Sequence, residues 1–498
     1  MAKSHKLAGL IVILGLLVWF YHAFAPHSVI YFVDSNLYLA GAKSLAENGS
    51  YRLVTQVGSP HPGLYPPWQS FYLSWFWRLS PQFPENVALL NEAMILLVLV
   101  LTTSFYFFLL HRRVPVFLAV LVTCCLGMST TLYDLAFSFV SDLWFSIFAV
   151  ALAWMWLAKV DLPPRWQWAA TGVLSGLMFL ARTAALPVVA GVLGLTAAKG
   201  WKDRDWKPFI FASLPMTALV ALWVLAPKET TSYVGFFGQS LGNGWDAAVH
   251  YLFSCLRRVW NYSVVELWNC FGPHCAEFFS SAFPRSALWS EIVAGAMDII
   301  GVGFLTVCFV GWRREKGSVN RAIGFILLLY FLQLIFWPYG LGPRAILPVL
   351  PLLVFWFCLG LSSVSVRWRE RAVLLLAALL VLNGGLNLYR TGYERDRLSD
   401  PNRLAELREL AQWVKSSLPR DARLGAQPDF PIMLFVAFSD HRISVTGETL
   451  RSMMGETDFL LVRGFRPAAD RARVQASPLQ VVHATQNGSF QVVRVVSP

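Results

Sequence analysis

The chain contains 498 residues, of which 56% are hydrophobic and only 14% are charged. A typical soluble protein carries about 25% charged residues, so this chain has too few charges to cover the surface of a soluble fold of its length. Its mean hydropathy of +0.52 excludes a disordered chain, because disorder goes with low hydrophobicity. The composition therefore predicts a mainly α-helical, polytopic membrane protein.

Apolar runs approach the roughly 20 residues that a helix needs to cross a bilayer, and they predict a transmembrane helix bundle of about 11 spans. Lys and Arg concentrate in every second connection, for example at 112–113, 199–207 and 313–321. Cytoplasmic connections carry such an excess, so the N-terminus is predicted to be cytoplasmic. The same rule explains the net charge of +12 without a nucleic-acid partner. The predicted spans are 7–25, 87–110, 114–131, 143–158, 166–180, 183–198, 209–226, 292–310, 322–336, 345–361 and 372–388.

Three long segments are predicted on the outer side of the membrane: the loops 26–86 and 227–291, and the tail 391–498. The chain thus divides into a membrane domain, 1–390, and a small C-terminal α/β domain. In the tail, apolar residues at helical spacing predict a helix over 401–418, and apolar runs bounded by turn residues predict strands. These strands are 442–445, 459–463, 479–484 and 490–496.

Two features leave alternatives open. The end of the first span, 23–25, resembles a signal-peptide cleavage site, although Pro26 disfavours cleavage directly after it. In the second outer loop, Cys270 and Cys275 are a candidate disulfide for an oxidising compartment. Cys255 makes the number of cysteines there odd, which favours the alternative that they are free thiols.

The first outer loop carries two predicted interfacial helices. Asp34 follows the first span and is an N-cap type of residue, and small and apolar residues at helical spacing continue to Asn48-Gly49. Pro66-Pro67 opens a second helix over 68–79. The aromatic residues of this second helix suit the membrane–water interface.

This order of features resembles the glycosyltransferase C superfamily, and in particular its bacterial aminoarabinose transferases and protein O-mannosyltransferases. Later segments agree with the family pattern: Asp142 at the outer start of the fourth span, a Gly-rich helix ending at Arg182, and Arg344 followed by spaced prolines. The departures are Ser35, Ala181 and Ala345, where the family usually has an acidic residue, Thr and an aromatic residue.

The resemblance implies a membrane enzyme that transfers a sugar with inversion, from a polyprenyl-phosphate donor to an extracytoplasmic acceptor. It also implies a bacterial inner membrane, with the site facing the periplasm. Asp34 is then the candidate base, because a positioned carboxylate takes up the proton of the acceptor; a plain helix N-cap is the alternative. Asp142 is the second catalytic candidate. The two carboxylates are also the candidate ligands of Mg or Mn, if the reaction uses a divalent cation.

The departing phosphate needs cations or hydrogen-bond donors. Arg344 and Arg182 are the main candidates, because a guanidinium binds phosphate with a fork of donors and both residues lie at outer ends of spans. Snorkelling to lipid headgroups is the alternative for both. His61 and Lys43 of the first outer loop are further candidates for the donor phosphate. The alternatives are an ordinary polar loop residue for His61 and contact with lipid headgroups for Lys43. The candidate lining of the substrate cavity is Tyr38, Tyr65 and Trp68.

Two other function classes compete with an enzyme. A transporter or flippase for a lipid-linked or small solute predicts ionisable residues near the middle of spans; here the ionisable residues gather at one face instead. A non-catalytic assembly or receptor protein would use the tail as its binding domain. The sequence leaves open the sugar, the metal dependence and the acceptor, which is a lipid, a glycan or a protein.

Overall fold

The computed structural model describes most of the membrane domain and parts of the C-terminal region. Most of the second outer loop lies outside the described residues, and so does the candidate disulfide Cys270–Cys275. The described residues are 2–25, 33–54, 59–63, 65–157, 163–225, 245–260, 287–337, 343–398, 401–419, 421–426, 443–446, 457–463, 479–486 and 490–495.

Each predicted apolar run contains a helix. Five of these helices are long and apolar enough to cross a membrane, and the bent pair α5–α6 (56°) makes up to six in the described residues. The multi-pass character is confirmed, and the count of about 11 spans stays a prediction. The helices are α1 (Ala2–Ala23), α2 (Val33–Asn48), α3 (Trp68–Leu79), α4 (Val87–His111), α5 (Val116–Gly127), α6 (Thr130–Ala136), α7 (Asp142–Leu157), α8 (Pro164–Ala181), α9 (Leu186–Asp203), α10 (Lys207–Val224), α11 (Trp245–Trp260), α12 (Ala287–Arg314), α13 (Ser318–Phe336), α14 (Leu350–Leu361), α15 (Val366–Leu398) and α16 (Pro401–Ser417).

The two helices of the first outer loop pack against each other beside the bundle. The predicted bounds of α3 are confirmed, whereas α2 begins at Val33, so Asp34 lies in its first turn rather than at its N-cap. The helix α2 ends at Asn48, and the following Gly49 has φ +66°, the left-handed conformation that favours glycine. The Ser70 hydroxyl of α3 donates to the Tyr38 carbonyl of α2 at 2.8 Å.

The predicted interfacial character applies to α3 better than to α2. In α3, Phe71, Trp75 and Leu79 are exposed, as expected of a helix that meets the membrane surface. In α2, by contrast, residues such as Leu39 and Ser44 are fully buried. Neighbouring elements therefore cover α2, which fixes the orientation of the side chains in its first turn.

The C-terminal region forms a small α/β unit as predicted. Its sheet has the strand order β2-β1-β3-β5-β4, in which β1 is parallel to β2 and β3, and β5 is antiparallel to β3 and β4. Sequence patterning misses β1, because three residues are too few to show an alternation. The strands are β1 (Leu424–Ala426), β2 (Ile443–Thr446), β3 (Phe459–Arg463), β4 (Leu479–Ala484) and β5 (Phe490–Val495).

The C-terminal unit contacts the first outer loop. Phe83, just before α4, packs against the apolar core between α16 and the sheet, and Arg408 of α16 pairs with Glu85 at 3.4 Å. The connecting helix α15 runs on to Leu398, so the predicted domain boundary at residue 390 falls inside a helix. The tail thus lies on the same side of the molecule as α2 and α3.

The helices α12 and α14 approach each other closely at two glycines. A Cβ atom added to Gly311 would lie 1.8 Å from the Trp356 carbonyl oxygen, and one added to Gly360 would lie 2.1 Å from the Val307 carbonyl oxygen. Such contacts need a residue without a side chain, because the two backbones touch there. Helix packing in the membrane domain therefore depends on these small residues.

We expect Gly311→Ala to destabilise the protein by about 1–3 kcal/mol, because the added methyl group overpacks the contact of α12 with α14. Gly303→Ala on the same helix is the matched control, since a Cβ atom there meets nothing within 4 Å. Thermal unfolding in detergent measures the difference. Equal melting temperatures for the two variants would contradict the close contact.

Candidate functional site

The first element of the site is an ion pair between the first outer loop and a late helix. Arg344 Nη1 lies 2.8 Å from Asp34 Oδ2, and only 18% and 16% of the two side chains are exposed. Tyr65 donates its hydroxyl to the other oxygen, Asp34 Oδ1, at 3.1 Å. Both oxygens of the Asp34 carboxylate are therefore engaged, one by a cation and one by a neutral donor.

A short 3₁₀ turn, Pro343–Ala345, holds Arg344 just before α14. The Tyr330 hydroxyl of α13 donates to the Ala345 carbonyl at 2.7 Å, and Tyr330 is itself buried. This hydrogen bond ties the backbone of the turn to the bundle. The position of Arg344 is thus set by α13, while its side chain reaches across to α2.

The second element is a deeper ion pair between α7 and the end of α8. Asp142 is the first residue of α7 and is completely buried, and its Oδ1 contacts Arg182 Nη1 closely. Arg182 has an extended backbone that breaks the helix between α8 and α9. The negative charge of Asp142 also suits the positive end of the α7 dipole. Among the described residues, Asp142 Oδ2 has no hydrogen-bond partner.

The two ion pairs form one site. Arg182 lies within electrostatic range of Asp34 as well as of Asp142, and Tyr38 is near the charges of both Asp34 and Arg182. The site therefore holds two carboxylates and two guanidinium groups from four elements. Their formal charges balance, which is the arrangement that permits burial in surroundings of low dielectric.

Tyr38 and Tyr65 line this site as the sequence predicts. The Tyr38 hydroxyl hydrogen-bonds Ser141 Oγ at 2.8 Å, and its ring meets the Tyr65 ring edge-on at 5.7 Å. Burial raises the pKa of Tyr38 well above its usual value, and the Asp34 charge raises it further. The Tyr38 hydroxyl therefore stays protonated and serves as a hydrogen-bond donor or acceptor rather than as a charged base.

Trp68 and His61 pack among aromatic residues of neighbouring elements. The Trp68 ring packs on Trp144 of α7 at 5.7 Å, so it joins α3 to the helix that carries Asp142. The His61 ring lies 5.2 Å from the Trp223 ring at the end of α10 and 5.6 Å from the Tyr51 ring. Both residues support the loop that holds Tyr65.

Lys43 faces away from Asp34. Nine residues of an α-helix correspond to a rotation of about 180°, and the Lys43 ammonium lies 2.7 Å from the Glu47 carboxylate, one turn further along α2. The structure therefore brings Lys43 to a different face of α2 from Asp34. Its predicted contact with the donor phosphate stays a prediction.

The segment between α6 and α7 anchors the two outer-loop helices at the site. The sequence did not indicate this segment as part of the site. The Ser35 hydroxyl of α2 donates to the Ser138 carbonyl, and the Gln69 amide of α3 donates to the Phe139 carbonyl at 3.0 Å. These bonds fasten both outer-loop helices to the segment that leads into Asp142. The signal in the sequence is a pair of Ser residues, Ser138 and Ser141, within an apolar stretch.

An apolar cavity lies next to the site. Its volume is about 40 Å³, and it lies between α7, α8, α9, α13 and α14. Tyr330 belongs to its wall and lies within electrostatic range of Arg182, so this residue links the cavity to the charged site. Its wall also includes Phe145, Met178, Val188, Ile326 and Leu352.

The carboxylates do not fit a divalent cation in this arrangement. Asp34 faces Arg344 and Asp142 faces Arg182, and each guanidinium would repel a dication. In the described part of the chain, no three His, Cys, Asp or Glu residues are grouped in a way that could hold a metal ion.

Comparison with known proteins identifies the fold. No protein-family model and no curated protein match the sequence. Among solved structures, the chain is similar to ArnT from Cupriavidus metallidurans bound to undecaprenyl phosphate, with a TM-score of 0.58 and 12% identity over 97% of both chains. The chain shares the fold of ArnT. The fold that the resemblance in the sequence implies is thereby confirmed.

Two further structures have the same architecture. The apo state of ArnT matches with a TM-score of 0.57 and 12% identity, over 99% of this chain and 98% of that chain. An Archaeoglobus fulgidus oligosaccharyltransferase in complex with Zn and sulfate matches with a TM-score of 0.53 and 13% identity, over 91% of this chain and 67% of that chain. In this ArnT-like fold, the Asp34–Arg344 pair joins the first outer loop to the turn before α14. The Asp142–Arg182 pair joins the start of α7 to the end of α8.

We expect Arg182→Gln to destabilise the protein by about 3–5 kcal/mol, because it leaves the fully buried Asp142 carboxylate without its cation. Arg165→Gln, at an exposed position at the start of α8, is the matched control. The double variant Arg182→Gln with Asp142→Asn regains much of the loss. Thermal unfolding in detergent measures all three, and equal stability of the two single variants would contradict the buried ion pair.

Proposed function

We propose that the protein is a membrane glycosyltransferase that takes a sugar from a polyprenyl-phosphate donor and transfers it, with inversion, to an extracytoplasmic acceptor. The observation that carries this proposal is the paired arrangement of Asp34, Asp142, Arg182 and Arg344 beside an apolar cavity. The ArnT-like fold supports it, because the C. metallidurans ArnT binds undecaprenyl phosphate. The site faces the periplasm of a bacterial inner membrane in this proposal.

In the proposed reaction, the acceptor attacks the anomeric carbon from the side opposite to the phosphate. A bond forms between the acceptor oxygen or nitrogen and that carbon, and the bond from the carbon to the phosphate oxygen breaks. Asp34 takes the acceptor proton, and the bonding electrons leave with the phosphate. The products are the glycosylated acceptor and polyprenyl phosphate. A positioned base of this kind contributes typically about 10²–10⁴-fold to the rate.

The guanidinium groups of Arg344 and Arg182 stabilise the charge that develops on the departing phosphate. Such donors are effective when they are fixed in a water-poor site before the reaction, because no solvent has to reorganise. Arg182 is oriented by Asp142, and the Arg344 backbone is held by Tyr330. Asp142 thus acts as a positioning residue in this proposal, and the reaction has no step through a metal.

The apolar cavity receives the part of the donor chain nearest the phosphate in this proposal. Its lining by residues such as Phe145, Met178 and Ile326 suits hydrocarbon. Its link to Arg182 through Tyr330 suits a ligand with one charged end and one apolar end. A lipid that enters sideways between the helices would therefore bring its phosphate to the guanidinium groups without crossing water.

We expect Asp34→Asn to lower sugar transfer by about 10²–10⁴-fold, because the amide cannot accept the acceptor proton. The measurement is release of free polyprenyl phosphate from a purified preparation supplied with donor and acceptor. Asp203→Asn, which removes an exposed carboxylate that pairs with Lys199, is the matched control and retains activity. Transfer at the wild-type rate by a folded Asp34→Asn protein would overturn the base assignment. Movement of donor without release of polyprenyl phosphate would favour a flippase.

A further inference from the structure

The Asp34 carboxylate is partly blocked as a base in the arrangement described above. A general base must reach the proton that it takes over a distance of about 2.6–3.2 Å, and both Asp34 oxygens already accept hydrogen bonds. Oδ2 faces Arg344 at 2.8 Å and Oδ1 accepts from Tyr65 at 3.1 Å.

Arg344 is engaged in the same contact. Its Nη1 group already faces Asp34, so a donor phosphate competes with the carboxylate for the same guanidinium, although Nη2 and Nε offer further N–H donors. The two roles proposed for this pair, base and phosphate ligand, therefore oppose each other as long as the ion pair persists. Separation of the pair frees both groups for transfer.

We propose that the donor itself releases the base: its phosphate draws the Arg344 guanidinium away from Asp34, and only then does the carboxylate accept a proton. This inference rests on the proposed function and adds an order of events to it. Without donor, Arg344 holds the Asp34 carboxylate in the ion pair. When donor binds, the carboxylate becomes able to accept the acceptor proton. Arg344 thereby senses the donor, and Tyr65 keeps the Asp34 carboxylate oriented while the guanidinium moves.

The geometry favours movement of Arg344 over movement of Arg182. Asp142 is completely buried, so removing Arg182 from it would leave an uncompensated charge. Asp34 and Arg344 both keep some exposure, at 16% and 18%, so their separation costs less. The Ala345 carbonyl remains bonded to Tyr330, which confines the change to the Arg344 side chain.

The charges formed in the reaction keep Arg344 separated from Asp34 until the product leaves. Before transfer, Asp34 and the phosphodiester of the donor each carry one negative charge. After transfer, Asp34 holds the proton of the acceptor, and the phosphate has gained the charge of the broken bond. The Arg344 guanidinium then has no carboxylate to return to, and its attraction to the phosphate has grown.

The test measures binding of undecaprenyl phosphate to the purified full chain in lipid nanodiscs. We expect Asp34→Asn to bind this probe about 5- to 10-fold more tightly than the wild type, because the guanidinium no longer has to leave a carboxylate. That change in affinity corresponds to a binding free energy of roughly 1 kcal/mol, which is the typical contribution of a partly exposed ion pair. Arg344→Gln is expected to bind about 10-fold more weakly.

The double variant Asp34→Asn with Arg344→Gln separates the switch from simple repulsion between Asp34 and the phosphate. If Arg344 transmits the effect, the double variant binds like Arg344→Gln alone, which is a coupling that a double-mutant cycle isolates. If Asp34→Asn tightens binding equally in both backgrounds, the effect is repulsion and the inference is overturned. Asp203→Asn is the matched control for loss of one carboxylate and binds like the wild type.

Two other results are decisive as well. Weaker or unchanged binding by a folded Asp34→Asn protein overturns the switch and leaves the proposed function intact. A wild-type protein that does not bind undecaprenyl phosphate overturns the proposed function and the switch together. Asp34→Ala provides a second neutral variant in case the amide is not tolerated, and it is expected to bind more tightly in the same way.

Discussion

The membrane domain is organised around two carboxylates that are largely kept from water and neutralised by guanidinium groups. An isolated buried charge is very unfavourable, so each carboxylate requires a cation in a defined geometry. Arg182 meets Asp142 and Arg344 meets Asp34. Because the partners come from separate elements, these contacts connect α2 with the turn before α14, and α7 with the end of α8.

The surroundings of the ion pairs determine what the site is able to bind. Tyr38, Tyr65 and Ser141 supply hydroxyl groups, while the neighbouring cavity is lined by hydrocarbon. In such a water-poor place, electrostatic contacts are stronger than at the surface. A ligand with an anionic head and an apolar chain matches both halves of the site. The same balance of charges explains why this buried site is stable: each anion already has a cation.

Much of the site was predictable from the sequence. Asp34, Asp142, Arg182 and Arg344 stand out as ionisable residues at the outer ends of apolar runs, where burial makes a charge expensive unless it has a role. Pro66-Pro67 marked the start of α3 correctly, since proline is favoured in the first turn of a helix. Lys43 lies nine residues from Asp34, which the helical period places on a different face of α2, and its contact with the donor phosphate stays a prediction.

The sequence by itself determined the class of the protein, its helices, the α/β character of the tail and the residues of the candidate site, since hydropathy, periodicity and isolated charges are local properties. Only the tertiary structure decided which Arg faces which Asp, because Asp34 and Arg344 are 310 residues apart. It also decided that Tyr330 and Ser141 belong to the site and that Asp34 has both oxygens engaged. These are properties of packing: they arise from how separate helices meet in space, which no single segment encodes.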